Sequence, residues 1–197
     1  MLRKLGLLAT LALCAGCAHF GGTKVPAVLA EMTAATRPGG ELAFEYAPDG
    51  TLRSIDAEIC PCCVPQACRE AADRHVPGGR VVGAEKEWNE GRLFWEIVKE
   101  QAGRRYEILM NPDGSLAGME ESLLPSELPA DALAAAQAAA PGGTFVVAER
   151  VTGPESWGGE EFHVKFDVKG EQIRVGVGHG KVVRVVRKVR GEVRAPR

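Results

Sequence analysis

The stretch VPQACREAADRHVPGG, residues 64–79, reads as one short helix followed by its own stop signal. Pro65 suits the first helical turn, where its missing N–H has no partner to lose. Ala67, Cys68, Ala71, Ala72 and Val76 fall on one apolar face. Pro77-Gly78-Gly79 then ends the helix and turns the chain. The phrase occurs twice more, as VPAVLAEMTAATRPGG over residues 25–40 and LPADALAAAQAAAPGG over residues 128–143. Eleven residues separate its two halves in every copy. Three matches with one spacing predict an internal repeat.

Each helix is followed by candidate strands. After the first come Glu41 to Tyr46, the turn Ala47-Pro48-Asp49-Gly50, and Thr51 to Ile59. After the second come Arg80 to Trp88, Arg92 to Glu100 and Arg104 to Met110, then Asn111-Pro112-Asp113-Gly114 and a short strand. After the third, Phe162, Val164, Phe166 and Val168 alternate with His163, Lys165 and Asp167, and Ile173, Val175 and Val177 alternate with Arg174 and Gly176. Strict period two predicts one buried and one wet face per strand. The basic stretch Lys181 to Arg197 reads first as a sheet edge guarded by charge, with a surface for anionic lipid or polysaccharide as the alternative.

The expected fold class is α+β. It consists of tandem units of one helix packed on an antiparallel sheet of up to four strands, with the first unit truncated. The units span residues 25–59, 64–123 and 128–190, with a basic tail at 191–197. The proline-led helix, Pro-Gly-Gly, a strand carrying Ala84-Glu85 or Ala148-Glu149, an aromatic hairpin and a Pro-Asp-Gly turn resemble the PepSY-like family. That family includes beta-lactamase-inhibitor-like periplasmic domains. Copy three departs from it, having Gly178-His179-Gly180 at the turn. The resemblance implies envelope-located binding or inhibition, and it carries no catalytic residues over to this chain.

The start, MLRKLGLLATLALCAGC, has a basic Arg3-Lys4, an apolar run from Leu5 to Leu13, and Ala15-Gly16 before Cys17. The run is short for a bilayer span and has the layout of a secretory signal. It resembles the lipobox of bacterial lipoproteins, with Cys14 where leucine is usual. The resemblance implies a signal peptide over 1–16 and lipidation, palmitate included, at Cys17. Residues 17–24 then form the lipidated start and tether. Ala18 after the lipidated position implies outer-membrane sorting, facing the periplasm.

The 197 residues are 45% hydrophobic and 25% charged, an ordinary globular balance. The formal charge of −2 becomes −4 without residues 1–16, leaving 22 basic against 26 acidic residues. Nothing in that balance fits a nucleic-acid partner.

Cys60, Cys62, Cys63 and Cys68 lie within nine residues. In an exported chain an even set of cysteines reads first as disulfides, with three possible pairings. Zn²⁺ or Cu⁺ held by thiolates and a redox C-x-x-C at Cys60 and Cys63 stay open beside it. Cys68 also fits a buried helix position. His19, His75, His163 and His179 show no ligand spacing, and the pairs Glu120-Glu121 and Glu160-Glu161 read as solvated loops or turns ahead of a carboxylate site. No phosphate loop or nucleophile elbow occurs. Trp88, Phe94, Trp95 and Tyr106 form the candidate binding set; Phe94 and Trp95, adjacent on one strand, point to opposite faces.

The expected function is an envelope-anchored, non-catalytic binding module for a protein or peptide, inhibitory or otherwise. No cofactor and no metal site are assigned. The alternative is a metal-handling or thiol-redox accessory protein using the cysteine cluster.

Overall fold

A computed structural model describes residues 24–153 and 159–193. Its three α-helices are α1 (Lys24–Ala35), α2 (Gln66–His75) and α3 (Ala130–Ala139), one on each repeated phrase. Pro65 and Pro129 stand one residue ahead of the first helical residue. At each exit the first glycine of Pro-Gly-Gly is left-handed, with φ of 71° at Gly39, 74° at Gly78 and 75° at Gly142. Only glycine takes that conformation at little cost.

The strands are β1 (Glu41–Tyr46), β2 (Leu52–Glu58), β3 (Arg80–Asn89), β4 (Arg92–Gln101), β5 (Arg104–Met110), β6 (Leu116–Leu123), β7 (Thr144–Thr152), β8 (Phe162–Val168), β9 (Glu171–Gly178) and β10 (Lys181–Glu192). They do not form separate sheets. All close into one antiparallel barrel in the order β1-β10-β9-β8-β7-β6-β5-β4-β3-β2. The expected tandem α+β units on sheets of up to four strands are therefore overturned. The junctions β2–β3 (Ser54↔Asn89 to Glu58↔Glu85) and β6–β7 (Met119↔Thr152 to Leu123↔Ala148) are laddered, and β10 pairs with β1 from Glu41↔Glu192 to Tyr46↔Arg187. Two open sheets would leave unpaired N–H and C=O rows at every margin, and closure removes them. β10 is accordingly no edge strand, since β9 holds its other side.

Bulges help to curl the wall. Register shifts fall between Val81 and Gly83, Phe145 and Val147, and Val182 and Arg184. An extra residue on one strand bends it and adds twist.

The apolar residues face outward, under the helices. α1 covers Leu42, Ile55 and Ala57 with Met32. α2 covers Ala84, Ile97, Ile108 and Met110 with Cys68, Ala71 and Ala72. α3 covers Ala148, Val164, Phe166, Val175 and Val177 with Ala132 and Ala136. The alanine face of α3 lets its backbone approach the strands closely. The period-two alternation is present, but the polar face of each strand meets the barrel interior.

Candidate functional site: the charged lumen

The inward residues enclose a cavity of about 520 Å³. Glu90, Arg92 and Arg190, which also line it, are exposed, so the cavity reaches the surface. A polar face alternating with an apolar one is all that local sequence demands here. Closure turns that face into a lining.

Strands β2 to β6 give the lumen an acidic wall. Asp56 is the cross-strand partner of Glu87, Glu85 of Glu96, and Glu107 of Glu120. Like charges directly opposite destabilise a sheet. Burial, then repulsion from Asp56, pushes the Glu87 carboxyl up to about 8. Burial, followed by Glu107 and Glu85, lifts Glu96 well above the usual carboxylate range. Burial also raises Glu85. Glu87 accepts a hydrogen bond from Asn89 at 2.9 Å. The nearby cations are paired elsewhere: Lys165 with Glu149, Glu107 and Glu120, Lys188 with Asp56, and Arg105, whose charge also reaches Glu96 and Glu85, with Glu107. Among the described residues Glu85, Glu87 and Glu96 have no ion-pair partner, and Asp56 Oδ1 is buried without a hydrogen bond.

Strands β7 to β10 carry the cations and are neutralised. Arg174 donates to Glu45, Lys188 stands 2.8 Å from Asp56 Oδ2, and Lys165 stands 2.8 Å from Glu149 Oε1. His163 is wholly buried, with Nδ1 3.0 Å from Glu120 and Nε2 3.1 Å from Glu160. Two carboxylates on one ring call for an imidazolium donating through both nitrogens. Burial alone would lower the His163 pKa, but Glu120 reverses this and raises it. Burial alone would likewise raise Glu120, but the His163 charge holds it well below its usual value. The pairs read from sequence as solvated turns are thus corrected: Glu120 lies buried on β6 and Glu160 is 1% exposed.

Glu120, Glu149 and His163 bring donor atoms within 4.8 Å of one another. A cation does not fit among them as they stand. Both nitrogens of His163 are committed to carboxylates, and Arg174 Nη1 lies 3.1 Å from each.

The aromatic set divides. Phe94 is buried and lines the lumen beneath the Arg92 guanidinium, 4.9 Å from its ring. Trp95 and Tyr106 pack outside against the α2 cluster, with the Lys86 ammonium 5.5 Å over Trp95. Trp88 packs against the α1 cluster. None of the four is an exposed ring.

The cysteines divide too. All four thiols are free. Cys68 is buried under α2, while Cys60, Cys62 and Cys63 converge at the surface. Residues 1–16, the lipidation position Cys17 and the tail residues Arg194 and Arg197 lie outside the described residues. Among the described residues no helix is long and apolar enough to cross a membrane.

Sequence reasoning missed the lumen carboxylates. Their signal was Glu85-x-Glu87 on one strand with Glu96 and Glu107 in phase on the next two. The same pattern serves a solvated sheet face, so it did not single them out.

No protein-family model matches the chain, and no curated protein matches it in sequence. Three solved structures resemble it. One is a protein of Bacteroides eggerthii described as periplasmic, at 16% identity over 62% of this chain and 87% of that chain, with a TM-score of 0.48. Another is a DUF2874 family protein of Bacteroides uniformis, at 13% identity over 66% and 89%, with a TM-score of 0.46. The third is a BLIP-like protein of Bacteroides fragilis, at 15% identity over 68% and 89%, with a TM-score of 0.44.

Proposed function

We propose that this protein is a non-catalytic binding module of the bacterial envelope, held to the membrane by lipid on Cys17, and that its site is the barrel lumen. Its ligand is a cationic side chain, lysine or arginine, presented by a protein or peptide. Inhibition of the partner follows where that side chain belongs to the partner's working surface. The carrying observation is the acidic wall: three like-charge cross-strand pairs, with Glu85, Glu87 and Glu96 lacking a counter-ion. A guanidinium or ammonium entering there removes the repulsion and supplies the missing ion pairs. The cavity volume falls within the range of about 300–1,000 Å³ common to ligand pockets. Arg92 over Phe94 flanks the entrance and sets a steric limit there.

The test is calorimetric titration of the full chain, carrying Cys17→Ser for solubility, with acetylated tri-arginine amide, tri-alanine and tri-glutamate. The reading expects binding of the cationic peptide alone, weakened at least tenfold by Glu96→Gln and unchanged by Glu70→Gln on the exposed face of α2. Equal binding by Glu96→Gln and wild type places the ligand elsewhere. Labelling of the native chain with radioactive palmitate, lost in Cys17→Ser, checks the anchor separately.

A further inference from the structure

The surface turn ahead of α2 has no part in the lumen, and its chemistry is different. Ile59, 3% exposed, and Val64, 1% exposed, fix its two ends in the core. Between them Pro61–Cys63 forms a single 3₁₀ turn, flanked by Cys60 and Val64 in extended geometry, with Cys63 N–H donating to Cys60 O at 2.8 Å. The Ile59 N–H bonds Ala84 O at 3.0 Å, tying the turn to β3. Arg69, one turn into α2, donates from Nη1 to Cys62 O at 3.1 Å and Val64 O at 2.8 Å. The turn is therefore held by proline, by two buried anchors and by an arginine clamp, and none of these uses a thiol.

The thiols are left to converge. The Sγ atoms of Cys60, Cys62 and Cys63 all lie within 4.8 Å of one another, and those of Cys60 and Cys62 are in direct contact at 2.6 Å. Cys62 and Cys63 are exposed and contribute nothing to the core. Cys68, close in sequence, is not part of the group. It is wholly buried in the α2 cluster, and its thiol faces Asn111 O at 3.5 Å. The fold thus selects three of four cysteines. Among the described residues no histidine or carboxylate joins them.

We propose that Cys60, Cys62 and Cys63 form a three-thiolate site for one Cu⁺ ion. Three converging sulfurs with no fourth side chain suit a soft, low-coordinate cation. Zn²⁺ requires four ligands in a closed site, and hard cations take oxygen. Thiolates about 2.3 Å from a metal stand about 4 Å apart around a trigonal centre, so Cys60 and Cys62, whose sulfurs stand 2.6 Å apart, must separate as the ion enters. The thiols give up their protons to solvent as the metal binds, with no change of oxidation state. Arg69, held on the Cys62 carbonyl at 3.1 Å, places one positive charge at the turn. This site is independent of the lumen and stands or falls apart from it.

The test uses the full chain with Cys17→Ser, reduced and kept anaerobic, competing for Cu⁺ against bicinchoninate. One equivalent of metal should leave the chelator, with a thiolate-to-copper charge-transfer band in the ultraviolet. Cys62→Ser and Cys63→Ser should each weaken binding more than tenfold, while Cys68→Ala should leave it within twofold. Circular dichroism on each variant separates loss of binding from loss of fold. Tighter capture of Zn²⁺ than of Cu⁺ overturns the assignment. So does equal loss in Cys68→Ala. So does a Cys60–Cys62 or Cys60–Cys63 disulfide in protein taken from the envelope without reductant.

Discussion

The two walls of the lumen are built from the same materials and end in opposite electrostatic states. On the β7–β10 side every inward cation meets a carboxylate: Arg174 meets Glu45, Lys165 meets Glu149, and His163 lies between Glu120 and Glu160. On the β3–β4 side Glu85 faces Glu96 and Glu87 faces Asp56. The first wall holds the barrel together. The second opposes it, because carboxylates crowded by like charge and lacking a counter-ion resist ionisation. A wall that works against its own fold points outward, to something that would neutralise it.

The comparison breaks most directly at Arg174. Replacing it by methionine strands Glu45 and removes the guanidinium whose Nη1 lies 3.1 Å from both His163 ring nitrogens. Losing one partner of a buried pair costs about 3–5 kcal/mol. Urea unfolding of Arg174→Met should show that loss. A change under about 1 kcal/mol would mean that Glu45 and His163 find other partners, and the paired wall would lose its stated role.

A smaller effect is expected from Gly176→Ala. A Cβ there would stand 2.1 Å from Glu160 Oε1. The methyl must push Glu160 away from His163, and the cost should be about 1–3 kcal/mol, the scale of an overpacked interior. The His163 pKa should fall as one of its two carboxylates withdraws, which histidine proton shifts against pH would follow.

The smallest effect, of opposite sign, belongs to the acidic wall. Glu87→Gln combined with Glu96→Gln should stabilise the ligand-free protein by about 1–2 kcal/mol at pH 8, since it removes two carboxylates that face like charge without a counter-ion. In the wild type these carboxyls hold protons more tightly folded than unfolded. Their contribution is therefore fully present below the unfolded value near 4.5 and is lost as pH rises toward 8, where Glu87 gives up its proton. Glu45, Glu107 and Glu120 are lowered in the fold, so their contribution disappears as pH falls below about 4. Wild-type stability should peak under mildly acidic conditions. The double variant should flatten the alkaline limb and leave the acid limb unchanged. An unchanged alkaline limb would show that the acidic wall is already neutralised.

Much of this was legible in the chain. The three phrases mark the three helices, because proline and glycine act through their own backbone geometry. The alternation of Phe162, Val164 and Phe166 with His163 and Lys165 marks the two faces of β8. The fate of each polar face was not legible. Lys165, Arg174 and Lys188 look like solvated residues from their own neighbours in sequence, and their partners lie on other strands. The aromatic set shows the same limit, since adjacency puts Phe94 and Trp95 on opposite faces without saying which face meets helix and which meets lumen.

What the sequence determined by itself was local: where helices begin and stop, and which residues share a face of a strand. Those features depend on dihedral preference and on period two, within a few residues. What only the tertiary structure decided was closure. Pairing β1 with β10 joins segments from opposite ends of the described chain, and no local signal encodes that contact. It turned candidate solvent faces into a single charged interior and left part of that interior without counter-ions. The hydrogen bonds of a sheet are made by backbone common to every residue, so the partner of a terminal strand is chosen by the shape and charge of the whole assembly.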